Sequence, residues 1–181
     1  MKFQQTLLDR PLVDQMVGVR RAIHAEPELS HQERKTKAKV LHELGKAGIT
    51  SIVPVGPTGF AVDIVGLAPG AGRTVGIRAD MDALPLHETA DVPFASRTPG
   101  VMHACGHDSH TAMVLATAVW LQKNTDRFAG RVRFYFQHSE ESLPSGALEF
   151  VEAGLVRDVD VVLGIHVDPL LDTGLVASMA G

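Results

Sequence analysis

Two kinds of apolar period alternate along this chain of 181 residues, and this alternation limits its possible folds more than any other feature. Apolar residues spaced three and four apart predict helices, whereas alternating or short continuous apolar runs predict strands. The predicted helices cover 11–25, 32–47, 107–122 and 145–153; the predicted strands cover 60–65, 74–77, 131–137 and 160–165, with 173–178 a candidate for one more. This order indicates an α/β protein with a mixed, mostly parallel sheet flanked by helices.

Composition fits one domain with a sizeable core, since 45% of the residues are hydrophobic. The aliphatic run at 160–165 is typical of a strand buried on both faces. A formal net charge of -4 argues against a nucleic-acid partner, which needs a concentrated basic face. No apolar run reaches the roughly 18 residues that span a bilayer. A single cysteine cannot form an internal disulfide, so we expect a cytoplasmic protein without a membrane partner.

Polar residues of the types that bind metals lie where the predicted strands end. Carboxylates follow the strands at 74–77 and 131–137, a histidine follows the strand at 160–165, and a cysteine-histidine segment precedes the helix at 107–122. In open α/β sheets, ligands bind beyond the carboxyl ends of the strands. The side chains that we expect to converge at this edge are Asp80, Asp82, Cys105, His107, Glu140, Glu141 and His166.

Cys105 and His107 lie in a segment, 102–110, that holds the single cysteine and three histidines. Thiolate and imidazole suit transition metals, and Gly106 gives the backbone freedom to turn both side chains to one side. Two alternatives remain open at this point. Cys105 could be a buried thiol beside the start of a helix, or a nucleophile that uses a histidine as its base.

The adjacent Glu140 and Glu141 could divide the work of a metal-dependent hydrolase. One carboxylate would hold a metal, and its neighbour would take a proton from water whose pKa the metal lowers. Asp80 or Asp82 could orient a histidine ligand by a hydrogen bond. The simpler interpretations are an exposed glutamate pair and aspartates that form a turn, whereas His166, at the tip of a predicted strand, favours a ligand.

The chain resembles the M20 metallopeptidase group, in particular hippurate hydrolases, N-acyl-amino-acid amidohydrolases and auxin-conjugate hydrolases. The similarity extends in family order over nearly the whole chain. The similar stretches are RRAIHAEPEL at 20–29, GPTG at 56–59, RADMDALP at 78–85, PGVMHACGHD at 99–108, HTA at 110–112, the glutamate pair at 140–141 and GIHV at 164–167.

The resemblance implies a partial zinc-peptidase-like catalytic domain that hydrolyses the amide bond of N-acyl amino acids with two divalent ions, which are manganese, zinc, nickel or cobalt. It makes Cys105, His107, Glu141 and His166 metal ligands. It also makes Glu140 the general base and Asp82 the orienting carboxylate. The substrate would be a small N-acyl amino acid.

Two departures from the family pattern stand out. His138 and Ser139 replace the usual Pro-Ala before the glutamate pair; His138 could be an additional ligand, although we expect it to face solvent. Family members are also about twice as long. We therefore expect 1–181 to be the N-terminal portion of the catalytic domain, without the lid domain, through which the family forms homo-oligomers, and without a later histidine ligand. The alternative to an enzyme is a truncated, non-catalytic remnant that binds a metal or a protein partner.

Overall fold

Five strands form one mixed sheet in a computed structural model that describes residues 8–178, and their order is β1-β2-β4-β3-β5. The strands are β1 (Ile52–Val55), β2 (Gly59–Val65), β3 (Thr74–Asp80), β4 (Arg131–Gln137) and β5 (Val161–Gly164). The helices are α1 (Arg10–His24), α2 (Arg34–Lys46), α3 (His107–Gln122) and α4 (Gly146–Glu152), with a 3-10 turn at Thr125–Arg127. The predicted α/β class with a mixed sheet is confirmed.

Alternating side chains on β4 separate the two faces of the sheet. Phe134 and Phe136 lie in the main core, which α1, α2 and α3 cover, whereas Tyr135 points to the opposite face and packs near Phe150 of α4. Phe60 of β2 stacks on Phe136 with the ring centroids 4.8 Å apart. The sheet therefore lies between α1, α2 and α3 on one face and α4 on the other.

The parallel half of the sheet determines where the functional residues meet. β3 pairs in parallel with both β4 and β5, and Asp80 is in register with Gln137 while Arg78 is in register with Gly164. The chain segments that follow these three strands therefore leave the same edge side by side. The start of α3 packs above this edge, because α3 contacts β3.

Two expectations about the C-terminal part were wrong. β5 is an edge strand rather than a buried one, and Val162 and Leu163 are each 50% exposed. No strand occurs at 173–178. The aliphatic run predicts a strand correctly, but sheet order rather than local composition determines which strand lies inside. Within 8–178, no helix is long and apolar enough to cross a membrane.

Candidate metal centre

The four predicted metal ligands and the predicted base come together beyond the ends of β3, β4 and β5. Ligand atoms of Cys105, His107 and His166 lie within 4.8 Å of one another, and so do those of His107, Glu140 and Glu141. His107 belongs to both groups. A third such group is formed by Asp80, His107 and His110, so the arrangement is three adjoining groups of possible metal-ligating atoms that share the imidazole of His107.

Asp82 fixes the orientation of the His107 ring. Nδ1 of His107 lies 3.2 Å from Oδ1 of Asp82, so this nitrogen carries a proton. Nε2 is buried and has no hydrogen-bond partner in the described part of the chain, and the same is true of Oε1 of Glu141, 3.6 Å away. Buried polar atoms are rarely left unpaired. Two such atoms facing each other suit a bound cation, because a cation between them would satisfy both.

Three donors converge on the carboxylate of Asp82. Besides His107, it accepts hydrogen bonds from Oγ of Ser30 at 2.6 Å and from the backbone N–H of Glu141 at 2.9 Å. Burial alone would raise the pKa of Asp82, but these hydrogen bonds outweigh it and lower the pKa below its ordinary value of 3.8. Asp82 is therefore an ionised acceptor at neutral pH that connects the imidazole with the loop carrying the glutamates.

Cys105 and His166 face each other in the group that they form with His107. Sγ of Cys105 lies 3.4 Å from Nε2 of His166, whose Nδ1 donates to the carbonyl of Val167 at 2.7 Å. Burial and the adjacent carboxylate of Glu141 raise the pKa of the Cys105 thiol to about 11. A thiol that stays protonated at neutral pH is a poor nucleophile, which argues against a cysteine hydrolase. A divalent cation would favour the thiolate, because the thiolate is the form that binds metal.

Gly106 allows the two segments that carry Cys105 and His166 to approach. Its φ of 84° lies in the left-handed region, and a Cβ there would lie 2.4 Å from Cγ2 of Val167. Glycine at this position was predicted for its backbone freedom between two metal-ligating residues. The structure adds a steric reason, since there is no space for a Cβ.

Sequence reasoning missed the role of His110. Its Nδ1 lies 2.7 Å from Oδ1 of Asp80, and its Nε2 accepts the backbone N–H of Val167 at 2.9 Å. Both ring nitrogens are thus used, so His110 is unsuited to be a ligand although it lies beside His107. It connects the end of β3 to the segment that carries His166. Its position one helical turn after His107 was the signal available in the sequence.

Asp80 pairs with side chains beside the candidate metal centre. It interacts with His110 and with Nη1 of Arg78 at 2.5 Å. Burial tends to raise the pKa of Asp80, but the hydrogen bond from His110 and the charges of His107 and Arg78 lower it overall. Of the two aspartates, Asp82 is therefore the one bonded to the predicted ligand His107, and Asp80 serves the neighbouring histidine.

The expectation that His138 faces solvent was wrong. Its side chain is fully buried, and Nε2 lies 3.1 Å from Oε1 of Glu149 on α4. It is in none of the groups of metal-ligating atoms within residues 8–178. The pattern around 138 gave no indication of burial, because the cavity that holds the ring is formed by distant glycines.

An α/β sheet whose carboxyl edge brings together a thiol, imidazoles and carboxylates with unpaired buried atoms defines an α/β domain with a candidate metal centre. The model of peptidase family M20/M25/M40 matches residues 76–181. The chain therefore belongs to this family.

Relatives and a solved structure agree with this assignment. The chain is 45% identical over 175 residues to an N-acyl-L-amino acid amidohydrolase of Geobacillus stearothermophilus, covering 97% of this chain and 46% of the relative. It is also 45% identical to thermostable carboxypeptidase 2 of Saccharolobus solfataricus, with coverages of 95% and 44%. The YXEP protein of Bacillus subtilis, described as a dinuclear metal binding peptidase from the M20 family, superposes with a TM-score of 0.84 at 39% identity, over 91% of this chain and 45% of that one. The chain thus spans about half the length of these proteins.

Proposed function

We propose that this chain carries the base and four metal ligands of a metal-dependent amidohydrolase that acts on N-acyl amino acids. The observation that supports this most directly is the pair of unpaired buried atoms, Nε2 of His107 and Oε1 of Glu141, beside Glu140. We assign Glu140 as the general base and Asp82 as the orienting carboxylate. The proposed ligands are Cys105, His107, Glu141 and His166.

The ligand types fit two divalent ions chosen from manganese, zinc, nickel and cobalt, because thiolate, imidazole and carboxylate suit several of them. Such ions lower the pKa of water and polarise an amide carbonyl. The resemblance to longer family members implies one further histidine ligand from a part of the protein outside these 181 residues. We therefore propose that 1–181 forms the N-terminal portion of the catalytic domain.

The position of Glu140 supports its proposed role as the base. Its side chain is 40% exposed, and Oε2 lies 3.8 Å from Nε2 of His107, at the open side of the cluster. In the proposed reaction, one carboxylate oxygen of Glu140 accepts the proton of the attacking water. The same oxygen then delivers this proton to the amide nitrogen as the C–N bond breaks, which releases an amino acid and a carboxylic acid.

The substrate class is supported by the two relatives together. An N-acyl-L-amino acid amidohydrolase and a carboxypeptidase share one chemical step, the cleavage of an amide that joins an acyl group to an amino acid with a free carboxylate. This shared bond is the part of the substrate that the centre described here would meet.

A second candidate is a truncated, non-catalytic form that binds metal or a protein partner. The observation that favours it is the exposed edge strand β5, whose Val162 and Leu163 are each 50% exposed. An unpaired edge of a sheet can add a strand from another polypeptide. This candidate predicts metal binding without turnover.

Hydrolysis of N-benzoylglycine by the metal-loaded chain tests the proposal. Because one histidine ligand is expected outside these 181 residues, we expect weakened metal binding and little or no turnover from 1–181 alone. From a protein extended to include that ligand we expect turnover that a chelator abolishes and that returns when the divalent ion is restored. Glu140→Gln should lower turnover at least about a hundredfold, as loss of a general base does, while metal binding is retained. Glu152→Gln, at an exposed position on α4, is the matched control and should keep full turnover. A folded, metal-loaded protein that includes the further ligand and still shows no turnover would support the non-catalytic form instead.

A further inference from the structure

Ser139, the residue before the glutamate pair, has a backbone conformation that few residues other than glycine adopt. Its φ is 48°, in the left-handed region. The residue lies between the end of β4 and Glu140, so its backbone angles set the direction in which both glutamates leave the sheet. Such a conformation is strained and persists only where the surroundings enforce it.

Hydrogen bonds from three separate segments hold Ser139 in place. Its backbone N–H donates to Oε1 of Glu33 at 2.8 Å, and its carbonyl accepts the N–H of Gly146 at 2.9 Å. Its Oγ lies 2.8 Å from Nε2 of His31 and 3.0 Å from the carbonyl oxygen of Ser142. Because the single hydroxyl proton goes to that carbonyl, the imidazole of His31 is the donor to Oγ.

Glu33 is the central acceptor of this arrangement. Its side chain is fully buried, and besides Ser139 it accepts hydrogen bonds from Oγ1 of Thr58 at 2.5 Å and from the N–H of His31 at 3.1 Å. His31 itself has a φ of 65°. The carboxylate therefore satisfies three donors and connects the two left-handed residues, His31 and Ser139, which are 108 positions apart in sequence.

The GPTG motif at 56–59 and His138 complete the support. Besides providing Thr58, the motif leaves room for the buried ring, since a Cβ on Gly59 would lie 2.5 Å from Nδ1 of His138 and one on Gly56 would lie 2.6 Å from Cε1. Gly146 on α4 contributes in the same way, with 2.9 Å to Cε1. The ring of His138 thus fills the space beneath Ser139.

We infer that Glu33 and Ser139 are positioning residues, which fix the backbone from which Glu140 and Glu141 reach the metal cluster. This inference rests on the proposed function. If Ser139 relaxed to the extended region, both carboxylates would turn away from His107. Misplacement of a catalytic group by about 1 Å can cost a factor of roughly a hundred in rate. Glu33 touches neither glutamate side chain in the contacts described, so it would act only through the backbone of Ser139.

Glu33→Gln tests this inference against a matched control. Glu28→Gln changes the same kind of side chain near the start of α2. The carboxylate of Glu28 also accepts three hydrogen bonds, from the N–H of Lys35 and from the N–H and Oγ1 of Thr36. None of them involves the segment 138–141. Glu33 is fully buried and Glu28 only half-buried, so the two variants can differ in stability, but a purely structural role for Glu33 would not make them differ in metal affinity once stability is matched.

Two readouts separate positioning from general stability. Each variant is measured at the same number of degrees below its own melting temperature. The first is Co²⁺ affinity from the absorption of the cobalt–thiolate bond; we expect a 10- to 100-fold loss in Glu33→Gln, as for other residues that orient ligands, and less than about threefold in Glu28→Gln. The second is amide hydrogen exchange of the peptide 138–142 in the metal-free protein, which should become faster only in Glu33→Gln. If Glu33→Gln does not fold, Ser139→Ala removes only the hydroxyl contacts and should weaken Co²⁺ binding in the same direction.

The outcomes distinguish this inference from the proposed function. Co²⁺ binding by the parent chain with equal changes in both glutamate variants would overturn the positioning role and leave the metal site intact. Absence of Co²⁺ binding by the parent chain would overturn the metal site. In that case hydrogen exchange still tests whether Glu33 holds the 138–142 segment. Unchanged exchange of this segment in Glu33→Gln would show that it does not.

Discussion

Asp82 holds the imidazole of His107 by its Nδ1 at 3.2 Å, and this bond leaves Nε2 buried and without a hydrogen-bond partner in the described structure. The pairing of a carboxylate with a histidine fixes both the tautomer and the plane of the ring. Because the same carboxylate accepts the N–H of Glu141, one side chain orients two of the proposed ligands.

Asp82→Asn tests this arrangement. The amide retains the size of the side chain but replaces one acceptor oxygen by a donor, so at least one of its three donors loses its partner. We expect divalent-ion affinity to fall 10- to 100-fold, the usual cost of removing a partner of a ligand, measured by isothermal titration calorimetry. Asp91→Asn, at an exposed position, is the control. Equal affinities for the two variants would contradict the orienting role of Asp82.

Gly106→Ala tests the close approach of the cysteine loop and the segment after β5. An alanine Cβ would lie 2.4 Å from Cγ2 of Val167, and its left-handed φ would cost about 1–2 kcal/mol. We expect a lower melting temperature together with weaker metal binding, because His166 would shift with its neighbour. The double variant Gly106→Ala with Val167→Ala should recover part of the affinity, since it removes the clash but not the φ penalty. If the double variant lost as much metal affinity as Gly106→Ala alone, the clash with Val167 would not be the cause of the loss.

His24 predicts a pH dependence of stability. Its Nδ1 lies 2.8 Å from Oδ2 of Asp108 and its Nε2 lies 2.9 Å from Oε1 of Glu88, so both ring nitrogens face carboxylates. The hydrogen bond with Asp108 is the main cause that raises the pKa of His24 above its ordinary value of 6.5, and burial opposes it. Arg20 shares the carboxylate of Asp108, with Nε at 2.6 Å, and the imidazole of the buried His103 is 6.2 Å away between centroids.

Since the folded state binds this proton more tightly than the unfolded state, the stabilisation from His24 is complete below pH 6.5 and is lost as the pH rises through the raised pKa. His24→Gln should therefore lower the free energy of unfolding by about 1–3 kcal/mol at pH 6, the range for hydrogen bonds to charged groups. It should cost less at pH 9. Urea denaturation at the two pH values measures this difference, and a cost that grows with pH would contradict the charged state.

The best-predicted elements are those whose type and bounds follow from the apolar period of their own residues. The structure reproduces the predicted bounds of α3 and β4, because an apolar helix and an alternating strand each show their period over seven or more residues. The convergence at the sheet edge was also predicted, since chain direction alone places residues after parallel strands on one side. The structure brings Cys105, His107 and His166 together, while their roles as ligands stay predictions.

Features that depend on sheet order or on distant partners were not predictable. Two aliphatic strands with the same composition can lie inside a sheet or at its edge, so nothing within the run at 160–165 indicated the exposure of β5. Among the residues that leave space for the buried ring of His138 are Gly56 and Gly59, which lie 82 and 79 positions earlier in the sequence. The acceptor role of Glu33 depends on the left-handed backbone of Ser139. Nothing in the sequence indicates that conformation, because serine rarely adopts it.

Metal content per chain tests the central claim most directly, with His107 as the decisive residue because it belongs to all three groups of possible ligand atoms. The purified chain is loaded with zinc, manganese, nickel or cobalt, freed of excess ion by gel filtration and measured by elemental analysis. We predict at least about one ion per chain in the parent and in the exposed-histidine control His42→Ala, and loss of the ion in a folded His107→Ala. A parent chain without bound metal, or a His107→Ala variant that retains as much as the parent, would contradict the account.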